Sequence, residues 1–297
     1  MTSNNQHQIS PLRWTKWLVL FLAVTSYLMG FIVRFSWPPL ISIAAPELSI
    51  DMTRAGLYMS AFYIGYVATH IPAGFLADRF GVRLIIAGAL LLEGISSLGM
   101  IYIESFVPGF FLRIITGIGA GMVYASCVRS VATWFEPRER GLAFGLLMLS
   151  PTAGVLFANQ IASLVLRFFQ WQTVFMVVGI AAIVLALLVY KFMVDTGESS
   201  QGHSFTEGLR FIVGNRDIMR MALAGFCLMW VQIGFISWAN TAIKNTGLSL
   251  INAGVIMTIF GIGGIVGPLF SGYLADRYSD KKLLLIAGFT ALIPLVL

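Results

Sequence analysis

Apolar stretches long enough to cross a bilayer recur along this chain, near residues 17–37, 54–77, 84–103, 107–134, 142–165, 171–193, 217–243 and 251–275. A helix rising about 1.5 Å per residue needs about 20 mostly apolar residues to span the hydrocarbon. Backbone exposed to lipid must satisfy its own hydrogen bonds, and the sequence lacks the short alternating segments of a membrane barrel, so these runs read as transmembrane helices. Composition agrees: 58% of the 297 residues are hydrophobic and 11% are charged, too little charge for a soluble globule. A ninth run starts at Leu283 and stops at Leu297, too short to cross. The chain therefore reads as ending within a helix.

A net charge of +6 would suit a nucleic-acid partner if the basic residues formed one patch. They follow the helix ends instead. With the N-terminus inside, Arg13, Lys16, Arg79, Arg83, Arg138, Arg140, Lys191, Arg210, Arg216, Arg220, Arg277, Lys281 and Lys282 all fall on one side, which is the positive-inside pattern. The expected partner is thus the lipid bilayer and no nucleic acid, with the protein in the cell's inner (plasma) membrane and its N-terminus cytoplasmic. Organisation follows from the same punctuation. Residues 1–16 form a cytoplasmic tail, 17–193 a six-helix bundle, 194–215 a polar cytoplasmic loop, and 216–297 an incomplete second bundle. Within the loop, FTEGLRFI at 205–212 reads equally as an amphipathic surface helix or a plain linker. Cys127 and Cys227 stand in apolar runs without metal or redox spacing and read as small buried hydrophobes. No paired nucleophile and base, metal cluster or phosphate-binding loop is readable, so no enzyme activity, cofactor or metal is expected.

The segment GFLADRFGVR at 74–83 recurs as GYLADRYSDK at 272–281, each time directly after an apolar run. Six crossings separate the copies, an even number, which places both on one membrane face. Asp78 can meet helix N-termini and the guanidinium groups of Arg79, Arg83 or Arg129 there, either as a latch between two arrangements or as a plain topological anchor. This motif resembles the signature loop of the major facilitator superfamily, roughly G-x-L-A-D-R-x-G-x-R/K, and matches it at every defined position. The resemblance implies an all-α polytopic fold of twelve helices in two pseudo-symmetric six-helix halves, here truncated after about eight and a half. It also implies a conformational switch formed by Gly74, Asp78, Arg79, Gly81 and Arg83, with Asp276 and Arg277 in the matching loop.

Within that superfamily the chain resembles the anion:cation symporters, carriers of organic anions such as sugar acids. FIVRFSWPPL at 31–40, SAFYIGYVATHIPAG at 60–74, Arg113 with the glycines after it, and WFEPRERGLAFG at 134–145 carry that likeness. A guanidinium inside the first span is costly without a partner. Arg34 therefore reads either as a functional group able to fork onto a carboxylate or phosphate, or as a side chain snorkelling to the outer headgroups. The resemblance implies the first role, contact with an anionic substrate. His70 falls where relatives carry glutamine in a cavity-lining helix, and reads as a substrate ligand or as a packing hydrogen-bonder. Trp230 and Gln232, with Trp238, make the seventh span polar and aromatic enough to line a cavity opposite Arg34, although Trp238, near the outer end, reads equally as an interfacial anchor.

Glu93 and Arg113 lie at similar depth by residue counting, which allows a buried ion pair that is either structural or part of a proton relay. Arg129 is placed to join Asp78 in a structural charge network. Two departures from the resemblance matter. Sugar-acid carriers commonly hold carboxylates where this chain has Val33 and Ala120, and phosphate-type carriers hold a second arginine in the seventh helix, which has none here. The function expected is secondary active transport of a small carboxylate or sugar acid by a monomer, coupled to H+ or Na+. A membrane sensor that binds without transport, or an inactive fragment, is the alternative.

Overall fold

The computed structural model describes residues 13–70, 72–136, 139–195, 210 and 213–245, with isolated positions at 255, 256, 259, 262 and 266. Arg138, most of the central loop, the second motif copy with Asp276 and Arg277, and nearly all of the span expected at 251–275 lie outside the described residues. Every regular element among the described residues is helical. Among the described residues, six helical stretches are long and apolar enough to cross a membrane by length and composition.

Helix α1 (Arg13–Phe35) stops where the sequence turns to Ser-Trp-Pro-Pro. Proline lacks a backbone donor and restricts the residue before it, so the α-helix cannot continue unchanged. The chain tightens into a 3-10 turn (Pro38–Leu40) and resumes as α2 (Ile41–Glu47). The expected first span of 17–37 is thus only part of a longer apolar stretch, Trp14–Glu47. Trp37 is fully buried at this corner. Its indole Nε1–H donates to the Ala55 carbonyl at 2.9 Å, and the Trp171 indole donates to Glu47 Oε2 at 2.6 Å. These bonds fasten the far end of the bundle, the end opposite the start of α1.

Helices α3 (Met52–His70) and α4 (Pro72–Phe80) return toward the near end, either side of Ile71. Helix α5 (Val82–Gly99), a 3-10 turn (Met100–Tyr102) and α6 (Phe106–Trp134) supply the next two crossings. The expected fifth span, 142–165, is divided into α7 (Arg140–Leu147) and α8 (Ser150–Val165). Pro151 sits in the first turn of α8, where its missing N–H costs nothing but where a through-running helix would lose a bond. Helix α9 (Gln172–Phe192) completes the group, and α10 (Arg216–Asn245) follows the central loop.

Helices α3 and α6 pack most intimately, and α5 lies against both α6 and α9. Glycine makes the α3–α6 approach possible: a Cβ on Gly117 would stand 1.9 Å from the Phe62 carbonyl oxygen, and one on Gly65 would stand 2.1 Å from that of Ile114. Such close approach of small residues is how helices associate in lipid, where burial of apolar surface cannot drive them together. The GIGAG run at 117–121 thus serves helix packing. The apolar faces of α8 and α9, with Phe157, Leu164, Val184 and Leu187 exposed, point outward. Cys127 is buried as expected, whereas Cys227 is exposed on α10. Helix α10 meets the rest chiefly through its far end, against the Pro38–Leu40 turn, which leaves the Cys227 face open.

Candidate functional site

Two guanidinium groups meet at the end of α1. Arg34, in the last turn, is 6% exposed and enclosed by aromatic rings, with its Cζ 4.6 Å from the centroid of Phe31, 4.9 Å from Phe62, 5.3 Å from Tyr63 and 4.4 Å from Tyr66. Ring faces attract a cation but leave its charge in place. No ion pair among the described residues reaches Arg34, and its Nε has no hydrogen-bond partner there. Such enclosure, rather than reach toward the headgroups, sets it apart from a snorkelling arginine.

Arg113, from α6, is 1% exposed and takes a different role from the one its depth suggested. Its Nη2 donates to the Arg34 carbonyl at 2.9 Å and its Nη1 to the Val33 carbonyl at 3.3 Å. The last four carbonyls of a helix have no intrahelical donor and carry the negative end of its dipole. Arg113 thus caps α1 from a neighbouring helix and holds the turn that carries Arg34. The expected ion pair with Glu93 is not formed in this structure. Glu93, fully buried on α5, lies about one turn below, where a Cβ on Gly30 would stand 3.6 Å from its Oε1. Both of its carboxyl oxygens lack hydrogen-bond partners among the described residues. Residue counting places Glu93 and Arg113 at one level, but the α6 residue facing Glu93 is Gly119, six residues and about 9 Å along the helix from Arg113, and the carbonyls of α1 claim the guanidinium.

His70 closes an aromatic wall. Its ring stacks on Tyr124 at 5.0 Å and 14° and contacts Tyr66 at 4.8 Å; Tyr27 then meets Tyr124 and Phe31, each at 5.1 Å. The wall runs back to Arg34 through Phe31 and Tyr66. The buried Nδ1 of His70 and the Tyr63 hydroxyl have no hydrogen-bond partner among the described residues. Tyr27, Tyr63, Tyr66 and Tyr124 were not singled out from the sequence. The signal was present as tyrosine at 63 and 66 followed by His70, three and seven residues on, the spacing of one helical face.

Tyr63 also borders a cavity of about 870 Å³ between α3 and α10, together with Ser60, Phe226, Trp230, Ser237 and Trp238. Trp230 and Trp238 line it, and Arg34 does not. Gln232 is exposed and is not among its lining residues, because it projects from another face of α10. At the far end of this cavity Trp238 lies against Gly56, where a Cβ would stand 2.9 Å from its ring.

At the near end, Asp78 on α4 forms an ion pair with Arg129 on α6. Gly81 adopts φ +84°, a left-handed conformation that favours glycine, and starts α5. The Asp195 carboxylate, just beyond α9, accepts the Arg83 backbone N–H at 3.0 Å and so occupies the positive end of α5. A Cβ on Gly81 would meet it at 2.5 Å. The Arg83 guanidinium lies over Tyr190, and that of Arg79 over Phe80. Gly74 has open space around it. Lys16 pairs with Glu139 at 2.7 Å, and Arg140 donates to the Ala132 and Phe135 carbonyls, capping α6 as Arg113 caps α1.

This arrangement belongs to a known family. The chain matches the Major Facilitator Superfamily over residues 19–297 and is a member of it. It is 26% identical over 282 residues to a hexuronate transporter of Bacillus subtilis, covering 89% of this chain and 65% of the relative. It is 25% identical over 321 residues to the 4-hydroxybenzoate transporter PcaK of Acinetobacter baylyi, covering 94% and 69%. The chain thus spans about two thirds of the length of these relatives. The crystal structure of a bacterial homolog of the human lysosomal transporter Spinster, inward-facing and unoccupied, superposes with a TM-score of 0.73 at 19% identity, over 91% of this chain and 64% of that one. The protein is accordingly a multi-pass membrane protein of that superfamily, helical throughout its regular elements among the described residues.

Proposed function

We propose that the protein is a secondary active transporter of a small organic anion, in which two helical bundles rock about a site near the membrane midplane. The observation that carries this reading is the Arg34 guanidinium: buried, enclosed by four rings and without a carboxylate at ion-pair distance among the described residues. A charge held so far from water needs a counter-ion, and an arriving carboxylate supplies one. Residues 17–193 form the first bundle, 194–215 the cytoplasmic connection, and 216–297 the start of the second. The N-terminus is cytoplasmic, in the inner membrane, and a single chain encloses the pathway. The Asp78–Arg129 pair belongs to the switch at its cytoplasmic mouth, matched in the second half by Asp276 and Arg277.

Coupling to protons falls to Glu93. Its carboxyl is the buried acid nearest the end of α1, in a chain with Val33 and Ala120 where related carriers hold carboxylates. In proteoliposomes carrying the full-length gene product, Arg34→Ala should lower counterflow of labelled organic anion about a hundredfold, while Arg34→Lys retains a weak remnant. Wild-type counterflow in Arg34→Ala would sink the proposed anion contact, and ligand binding without any flux would make the protein a sensor. Glu93→Gln should abolish accumulation driven by a pH gradient while exchange at equal pH continues. Undiminished gradient-driven uptake would remove Glu93 from the coupling step.

A further inference from the structure

We propose that the site beside Arg34 is built for a flat aromatic carboxylate rather than a polyhydroxylated acid. The inference rests on the reading that the protein carries an organic anion held by Arg34, and it narrows the chemical class of that anion. The relatives do not decide the matter, since a hexuronate carrier and a 4-hydroxybenzoate carrier are 26% and 25% identical to this chain. The walls of the site do.

A sugar acid brings several hydroxyl groups, each of which gives up water on entry. Each one left without a partner costs about 1–3 kcal/mol. Recognition of such a ligand requires carboxamide or carboxylate side chains converging on one space. Around Arg34 the side chains are rings instead: Phe31, Phe62, Tyr63 and Tyr66 against the guanidinium, then His70 and Tyr124 in continuous contact beyond Tyr66. The cavity that Tyr63 borders continues the pattern, with Phe226, Trp230 and Trp238 on α10, and hydroxyl groups only from Ser60, Ser237 and Tyr63 itself among its lining residues. Its volume of about 870 Å³ leaves ample room for a single aromatic ring against Tyr63, the one ring it shares with the Arg34 enclosure; Arg34 itself is not among its lining residues. Glu93, the carboxyl close to this site, is fully buried below it and abuts Gly30 and Gly119, so it is not presented to a ligand's hydroxyl groups.

An aryl carboxylate fits these walls group by group. Its ring can take the place of one aromatic face against Tyr66 or His70, in the offset or edge contacts that such rings prefer. Its carboxylate can take the donors of Arg34, whose Nε has no partner among the described residues. A single phenolic hydroxyl would find the unpartnered Tyr63 hydroxyl or His70 Nδ1. Three polar atoms without partners, set within a wall of rings, match a ligand with one anionic end and one polar substituent. They do not match a ligand hydroxylated along its whole length.

The test is counterflow with the full-length protein in proteoliposomes, comparing labelled 4-hydroxybenzoate with labelled D-glucuronate. The expected result is exchange of 4-hydroxybenzoate at least about tenfold faster at equal concentration. Tyr66→Leu, which keeps an apolar wall but removes its π face, should raise the KM for 4-hydroxybenzoate about tenfold. Faster exchange of glucuronate would overturn the aromatic specificity and leave organic-anion transport standing. An unchanged KM in Tyr66→Leu would also overturn it. Exchange of neither acid would overturn both the specificity and the transport reading beneath it.

Discussion

Arg113→Ala should lower the melting temperature of the protein in detergent by about 10 °C and abolish transport, although Arg34 itself is untouched. The guanidinium is 1% exposed and donates to the carbonyls of Val33 and Arg34. Its removal strands two helix-terminal acceptors away from water, each at about 1–3 kcal/mol, and leaves a cavity against Met59 and Phe62. A total on the order of 3–5 kcal/mol follows, and at 2–4 °C per kcal/mol for a chain of this size that is roughly the stated shift. Transport fails for a second reason. The capped turn is the one that carries Arg34, so a frayed α1 terminus no longer holds the proposed anion contact within its ring of aromatics. Arg113→Lys should recover only part of the loss, because one ammonium cannot fork across two neighbouring carbonyls. Arg113→Met separates the capping role from a proton-relay role. It fills the volume without a donor, so capping requires it to melt nearly as low as Arg113→Ala, as followed by tryptophan fluorescence. Melting within a degree or two of wild type would refute the capping role.

Sequence reading succeeded where chemistry is carried along a single helix and stopped where it depends on which way a helix faces. The apolar runs announced the crossings, and the LADR motif announced the loop. Depth along the membrane is legible too, since each residue adds about 1.5 Å, and the meeting of Asp78 with Arg129 follows from it. Fine depth and azimuth are not. Glu93 lies level with Gly119, six residues from Arg113 on α6, and faces Gly30, whereas Arg113 reaches over the end of α1. The contact of Asp195 with the start of α5 joins residues 112 apart in sequence, and nothing local to either one signals the other. Gln232 failed for the same reason: a polar residue beside Trp230 on a helix lies about 200° away from it after two steps of about 100°, on another face. The division of the fifth span has a local cause in Pro151, which disfavours a through-running helix, but the turn before it depends on where α7 packs.

Gly117→Ala should be among the most damaging single-methyl changes in the chain, and Gly88→Ala should be harmless. The added carbon at 117 would lie 1.9 Å from the Phe62 carbonyl oxygen, a backbone atom that cannot rotate aside. Helices α3 and α6 must then separate, against the close packing that holds membrane helices together. Overpacking by one methyl costs about 1–3 kcal/mol where side chains can adjust; contact between two backbones places this case at or above the upper end. The functional loss should be larger still, because Phe62, Tyr63 and Tyr66 come from α3 while Arg113 and Tyr124 come from α6. Moving the two helices apart opens the aromatic wall around Arg34 and pulls Arg113 from the α1 carbonyls. At Gly88 an added Cβ meets nothing within 4 Å, and alanine should instead add about 0.5–1 kcal/mol through helix propensity. Gly119→Ala falls between, since its nearest side-chain neighbour is the Glu93 stem at 2.8 Å but the Ala89 carbonyl stands at 2.7 Å. Thermal melting of the three variants in one detergent gives the ranking, and a Gly117→Ala protein that melts with Gly88→Ala would mean that α3 and α6 are not in backbone contact.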